Sequence, residues 1–102
     1  MEKEELQAYR RKLEAKLDRM EAELDKIQAG INEAKADMEM DYKKRLEDLR
    51  SKRNDLQQRL SEARDTAEST WKDVKISLDE SWDRLREEAN QLKSNLSIID
   101  TD

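Results

Sequence analysis

Carboxylates are the most plentiful reactive groups in this chain, 26 Asp and Glu among 102 residues, and adjacent pairs stand at Glu4 and Glu5 and at Glu87 and Glu88. Two carboxyl groups can divide general-acid and general-base work when their surroundings push their pKa values apart. Here the pairs face solvent, and the pattern around them offers no concave apolar pocket to shift either member. Histidine and cysteine are absent. That removes the commonest proton shuttle near neutral pH, the thiolate nucleophile, and the Glu-x-x-His repeat that carboxylate di-metal bundles require. Gly30 is the sole glycine, so neither a P-loop nor a dinucleotide-binding loop can be built. The expectation is a protein that is not an enzyme, holds no cofactor or metal and takes no small-molecule substrate.

Three further groups of residues could carry a function. Trp71 and Trp82 lie 11 residues apart, three helical turns, and so share one face. They read as core anchors, with interfacial anchors on a membrane as the alternative. Lys43, Lys44, Arg45, Arg50, Lys52 and Arg53 form the most basic stretch, but Glu39, Asp41, Glu47 and Asp48 are interleaved with it. No basic face concentrates phosphates, which disfavours nucleic acid as a partner. Ala8, Ala15, Ala22, Ala29 and Ala36 recur every seven residues. They read as strong helix formers on an exposed face, with a shallow groove for another helix as the sharper idea.

Composition points to helix. Charged residues make up 46% of the chain, the hydrophobic share is 34%, mean hydropathy is -1.24, Pro and Phe are absent, and net charge is -5. Such a profile suits long helices with a thin core. Disorder is the competing reading, but the chain has the periodicity that disordered segments lack. Residues 1–66 carry 17 acids against 16 bases, and 67–102 carry 9 against 5. Anionic lipid would repel the second segment, so a membrane surface is disfavoured as a partner. The charged start and the lack of any long apolar run set the cytoplasm as the expected compartment.

A single apolar row runs through the chain. Its members include Leu6, Tyr9, Leu13, Leu17, Met20, Leu24, Ile27, Ile31, Ala34, Met38, Tyr42, Leu46 and Leu49, then Leu56, Leu60, Ala63 and Ala67. It continues through Trp71, Val74, Leu78, Trp82, Leu85, Ala89, Leu92, Leu96 and Ile99. The mean step is about 3.58 residues, between the repeat of a left-handed coiled coil and that of a straight helix. Consecutive steps of four around Met38–Leu46, Ala63–Trp71 and Val74–Trp82 locally unwind any supercoil. Arg53 is the one polar member. It is expected to pack its stem and send its head to water, with a register-setting role as the alternative. Acids four residues before bases support helix throughout: Glu39 with Lys43, Asp41 with Arg45, Asp48 with Lys52, Asp55 with Arg59, and Glu80 with Arg84.

The stripe passes Gly30 in phase, whereas Asp65-Thr66-Ala67-Glu68-Ser69-Thr70 is rich in cap and turn formers, and Thr70 with Asp73 resembles a weak capping box. The expected fold is therefore all-α and a single domain over 1–102. It has one long helix over about 3–66, a break at about 66–70, a second helix over about 70–97 and a frayed tail at 98–102. The two helices form a coiled-coil-like hairpin that leaves Met20 uncovered and able to seek another chain. A three-helix bundle with an added turn near Gly30 is the alternative, ranked second because the stripe looks narrow for it. The packing positions are Leu13, Leu17, Leu24, Ile27, Ile31, Leu46, Leu49, Leu56, Leu60, Trp71, Val74, Leu78, Trp82 and Leu85. Function is expected to lie in helix packing, either in a homo-oligomer or on a partner helix. The alternative is a protective protein that folds on a lipid surface.

Tyr42 through Arg53, with Trp71-Lys72-Asp73-Val74-Lys75 and Ser81-Trp82-Asp83-Arg84-Leu85, resembles a family of short bacterial coiled-coil proteins labelled stress-response proteins, found in cyanobacteria among others. Ser69-Thr70 stand where its members often carry Gly just before the first Trp motif. The resemblance implies a cytosolic bacterial protein tied to stress and supplies no catalytic or ligand residues.

Overall fold

A stripe-bearing helix gains little in water until its apolar face meets another surface. The chain solves this with three helices, α1 (Glu2–Asn32), α2 (Ala36–Glu62) and α3 (Glu68–Leu96), with a short 3-10 turn at Ala63–Asp65. The computed structural model describes residues 2–33, 36–66 and 68–96, and side-chain placement for 4–33, 39–66 and 69–96. Every pair of helices is in contact. Cross-links of opposite charge fix their directions. Arg50 reaches Glu21 and Asp25 while Arg53 reaches Asp18, so α2 runs antiparallel to α1. Lys52 reaches Glu88, and Arg59 reaches Ser77 and Ser81, so α3 runs antiparallel to α2. It follows that α1 and α3 are parallel.

The single helix expected over 3–66 is corrected by this arrangement: it ends at Asn32 and restarts at Ala36. The three-helix bundle, ranked second from the sequence, is the architecture found. The molecule measures 51 × 25 × 15 Å, the length of one such helix, whereas 64 continuous helical residues would span roughly 95 Å. The reason is burial. Folded back, α1 sets its stripe against those of α2 and α3 together, and three narrow stripes facing one axis need no wider apolar face. Met20, expected to stay uncovered, is only 5% exposed.

Leu13, Leu17, Leu24, Ile27 and Ile31 from α1, Leu46, Leu49, Leu56 and Leu60 from α2, and Trp71, Leu78, Trp82 and Leu85 from α3 are all buried in one cluster. Val74 packs against that cluster while remaining partly exposed. Each full burial of a large apolar side chain contributes about 1.5–3 kcal/mol. No polar or charged side chain is fully buried among the described residues.

The second break is nearer to expectation. Helix α2 ends at Glu62, the 3-10 turn follows, and Thr66 is extended with φ -74 and ψ 134. The Thr66 N–H donates to the Ala63 carbonyl at 3.1 Å. Helix α3 begins at Glu68 rather than at about 70. Thr70 is therefore inside the helix and is not its cap, because Thr66 has already turned the chain. Ala34, Lys35, Ala67 and the expected tail at 98–102 lie outside the described residues.

Candidate functional site

Among the described residues, the expected packing residues come together in the seam where the helices meet. At one end, Tyr9 of α1 sets its ring edge-on to Trp71 of α3, with centroids 5.3 Å apart and planes at 76°. Its hydroxyl donates to Asp79 Oδ1 at 2.5 Å. Burial first, then the hydrogen bond to Asp79 and the charges of Asp79 and Asp83, raise the pKa of the phenol well above its ordinary value. Lys75 pairs with Asp79 at 3.2 Å and lies 5.2 Å from the centre of the Tyr9 ring. Along the same seam Lys16 sits over the Trp82 ring at 5.8 Å, and Lys93 pairs with Glu23 at 2.5 Å. These contacts tie α1 to α3 at 9 with 79, 16 with 82 and 23 with 93, a parallel register.

Between α1 and α2 the fasteners are two arginines. Arg50 donates to Glu21 Oε1 at 2.9 Å, Asp25 Oδ1 at 3.1 Å and Gln28 Oε1 at 2.8 Å. Arg53, the polar member of the stripe, does not send its head to water as expected. Its side chain is 15% exposed, its Nε donates to the Leu17 carbonyl at 3.3 Å, and it pairs with Glu21 at 3.3 Å. A guanidinium hydrogen-bonded to the main chain of a neighbouring helix accepts few other registers, so the contacts correspond to the register-setting alternative.

Between α2 and α3 the pattern differs. Lys52 bridges Asp48 at 3.0 Å on its own helix and Glu88 at 2.8 Å on α3, and the hydrogen bonds to Glu88 and then Asp48 raise its pKa. Arg59 donates to Ser81 Oγ at 2.9 Å and to Ser77 Oγ. Of the pairs expected within one helix, Glu39 with Lys43 forms at 3.6 Å and Asp48 with Lys52 at 3.0 Å. Asp55 with Arg59 does not, because the serines of α3 take the guanidinium. Neither Asp41 with Arg45 nor Glu80 with Arg84 is among the ion pairs of the described residues. Apart from the register-setting alternative for Arg53, sequence reasoning missed the fasteners between helices, since each depends on which helices become neighbours.

The remaining surfaces offer little for chemistry. Glu88, one of the adjacent carboxylates, is committed to Lys52 and lines a shallow groove of about 430 Å³ with Lys44, Arg45 and Asp48. A groove of about 420 Å³ between α1 and α3 is rimmed by Lys16, Arg19, Arg86 and Lys93. Among the described residues no three His, Cys, Asp or Glu converge to hold a metal ion. No helix among them is long and apolar enough to cross a membrane. Ala8, Ala15, Ala22 and Ala29 are exposed, and the side chain of Ala36 lies outside the described residues.

No family model, curated protein or solved structure matches the chain.

Proposed function

We propose that this protein is a non-catalytic, coiled-coil-type structural or interaction protein, acting by helix–helix packing through self-association or on a partner helix. The observation that carries this reading is the continuous apolar seam, shared by all three helices and bordered by charge pairs that join one helix to the next. Such a seam supplies what one amphipathic helix needs to recognise another: apolar side chains in register and polar groups that fix the register. A cytoplasmic setting and a part in a bacterial stress response belong to the same proposal, supported by the resemblance of Tyr42 through Arg53 and of the two Trp-centred motifs.

The competing lipid-surface reading needs Trp71 and Trp82 as interfacial anchors, and both are buried between helices. Sedimentation equilibrium and circular dichroism on a chain carrying Leu24→Ser, Leu56→Ser and Trp82→Ser test the proposal. Loss of helicity and of any association is expected. Unchanged helicity and association in that variant would overturn the reading.

A further inference from the structure

Resting on this helix-packing reading, we infer that α1 is an exchangeable helix whose partner is a second copy of this chain. In the exchanged dimer, α1 of each copy leaves its seat between α2 and α3 and occupies the same seat on the other copy, and α1 joins its own α2 end to end.

Four observations converge on this arrangement. First, the link is short. Helix α1 ends at Asn32 and α2 starts at Ala36, and Glu33-Ala34-Lys35 between them are all helix-compatible residues with no proline to stop a helix. Short links between packed elements are the places where exchange between copies arises.

Second, the apolar stripe crosses the link on helical spacing, Ile27, Ile31, Ala34, Met38, Tyr42. This matters geometrically. Once α1 and α2 are coaxial, the two halves of the stripe must point to the same side for both to meet the other copy. A stripe that changed phase at residue 33 would turn one half away from it.

Third, folding back leaves helix ends at the link. The first four N–H groups and last four C=O groups of a helix lack partners within it. At this link the Glu33 N–H donates to the Gly30 carbonyl at 3.2 Å, and the last turn of α1 carries no basic residue. A continuous helix satisfies those groups internally.

Fourth, every fastener of the seat can re-form between copies: Arg50 with Glu21 and Asp25, Arg53 with the Leu17 carbonyl, Lys93 with Glu23 and Tyr9 with Asp79. Two-fold exchange gives a closed dimer with the same seat used twice. Monomer and dimer thus share one core, and protein concentration together with the state of the link sets the balance between them.

The absence of cysteine makes the test direct. A Glu21→Cys, Arg50→Cys chain, equilibrated over a range of concentrations and joined with a short bis-maleimide, reports where α1 sits, because the two native side chains meet at 2.9 Å. A matching Arg59→Cys, Ser81→Cys chain reports α2 against α3, which does not exchange. The expected result is covalent dimer from the first pair, its share rising with concentration, and covalent monomer from the second pair throughout. Inserting Gly-Ser-Gly-Ser after Ala34 should lower the dimer share at least tenfold. Should Glu21→Cys, Arg50→Cys disturb folding by circular dichroism, the Glu23→Cys, Lys93→Cys pair reads the same exchange across α1 and α3.

Covalent monomer alone at every concentration overturns the exchange. If sedimentation shows dimers while the first pair still joins within one chain, intact bundles associate: the exchange fails and the helix-packing function stands. A triple serine variant that keeps both its helicity and its association removes the helix-packing reading and the exchange with it.

Discussion

The link between α2 and α3 and the link between α1 and α2 reverse the chain by different means. At the former, a 3-10 turn buries Ala63 at 2% exposure, Thr66 turns extended, and Asp65, Thr66, Ser69 and Thr70 are residues that compete with helix. At the latter, Gly30 remains helical, the turn residue is Glu33, and the stripe runs on in phase. One reversal is thus written locally in residues that resist helix. The other is imposed by what the helices on either side bury when they meet.

Substitutions at the two links should separate them most clearly. Ala63→Asp places a carboxylate at a position only 2% exposed and is expected to cost about 3 kcal/mol or more. Gly30→Asp, half-buried in the last turn of α1, should cost about 1 kcal/mol or less through its negative charge at the helix C-terminus. Urea unfolding of both variants measures the difference, and equal losses would erase the distinction between the two links.

Next in size is the seam beside each link. Arg53→Ala removes a hydrogen bond to the main chain of α1 and an ion pair with Glu21, an expected loss of about 1–2 kcal/mol. Arg59→Ala leaves two serine hydroxyls that water can serve and should lose under about 1 kcal/mol. Amide hydrogen exchange in the first variant should rise in α1 before α3.

Tyr9 fastens α1 at the end nearer the second link. Its raised pKa means that the folded state holds a proton more tightly than the unfolded chain. The corresponding stability is fully present below the ordinary tyrosine value of 10.0 and falls as pH rises beyond it. Tyr9→Phe should lose about 1 kcal/mol at pH 7, and its unfolding curve should converge with that of the parent protein above pH 10. Parallel curves over that range would remove the phenol from the account. The smallest effect is a gain: Gly30→Ala should stabilise by about 0.5–1 kcal/mol, seen as a higher melting temperature.

Much of the core was legible in advance, because period and burial have one cause. Leu17, Leu24, Ile27, Ile31, Leu56, Leu60, Leu78 and Leu85 fall on the stripe and are almost wholly buried. The turn after Asn32 was not, since antiparallel return leaves the helical phase intact and the deciding contacts lie between residues some 30 positions apart. Arg53 stood out as a polar residue in an apolar row. What it binds could be known only once Leu17 and Glu21 were its neighbours. Asp55 illustrates the same limit from the other side: a partner available within one helix lost its arginine to Ser77 and Ser81 on another.

Three passes along one axis place Glu2 and Leu96 at opposite ends of the 51 Å dimension. Tension applied through those two points would load the bundle lengthwise. The helices would have to slide past one another with many side chains yielding together, whereas a two-helix hairpin pulled at adjacent ends peels apart one contact at a time. The odd number of helices therefore sets the two ends of the bundle apart, so that a pull on them shears helices past one another.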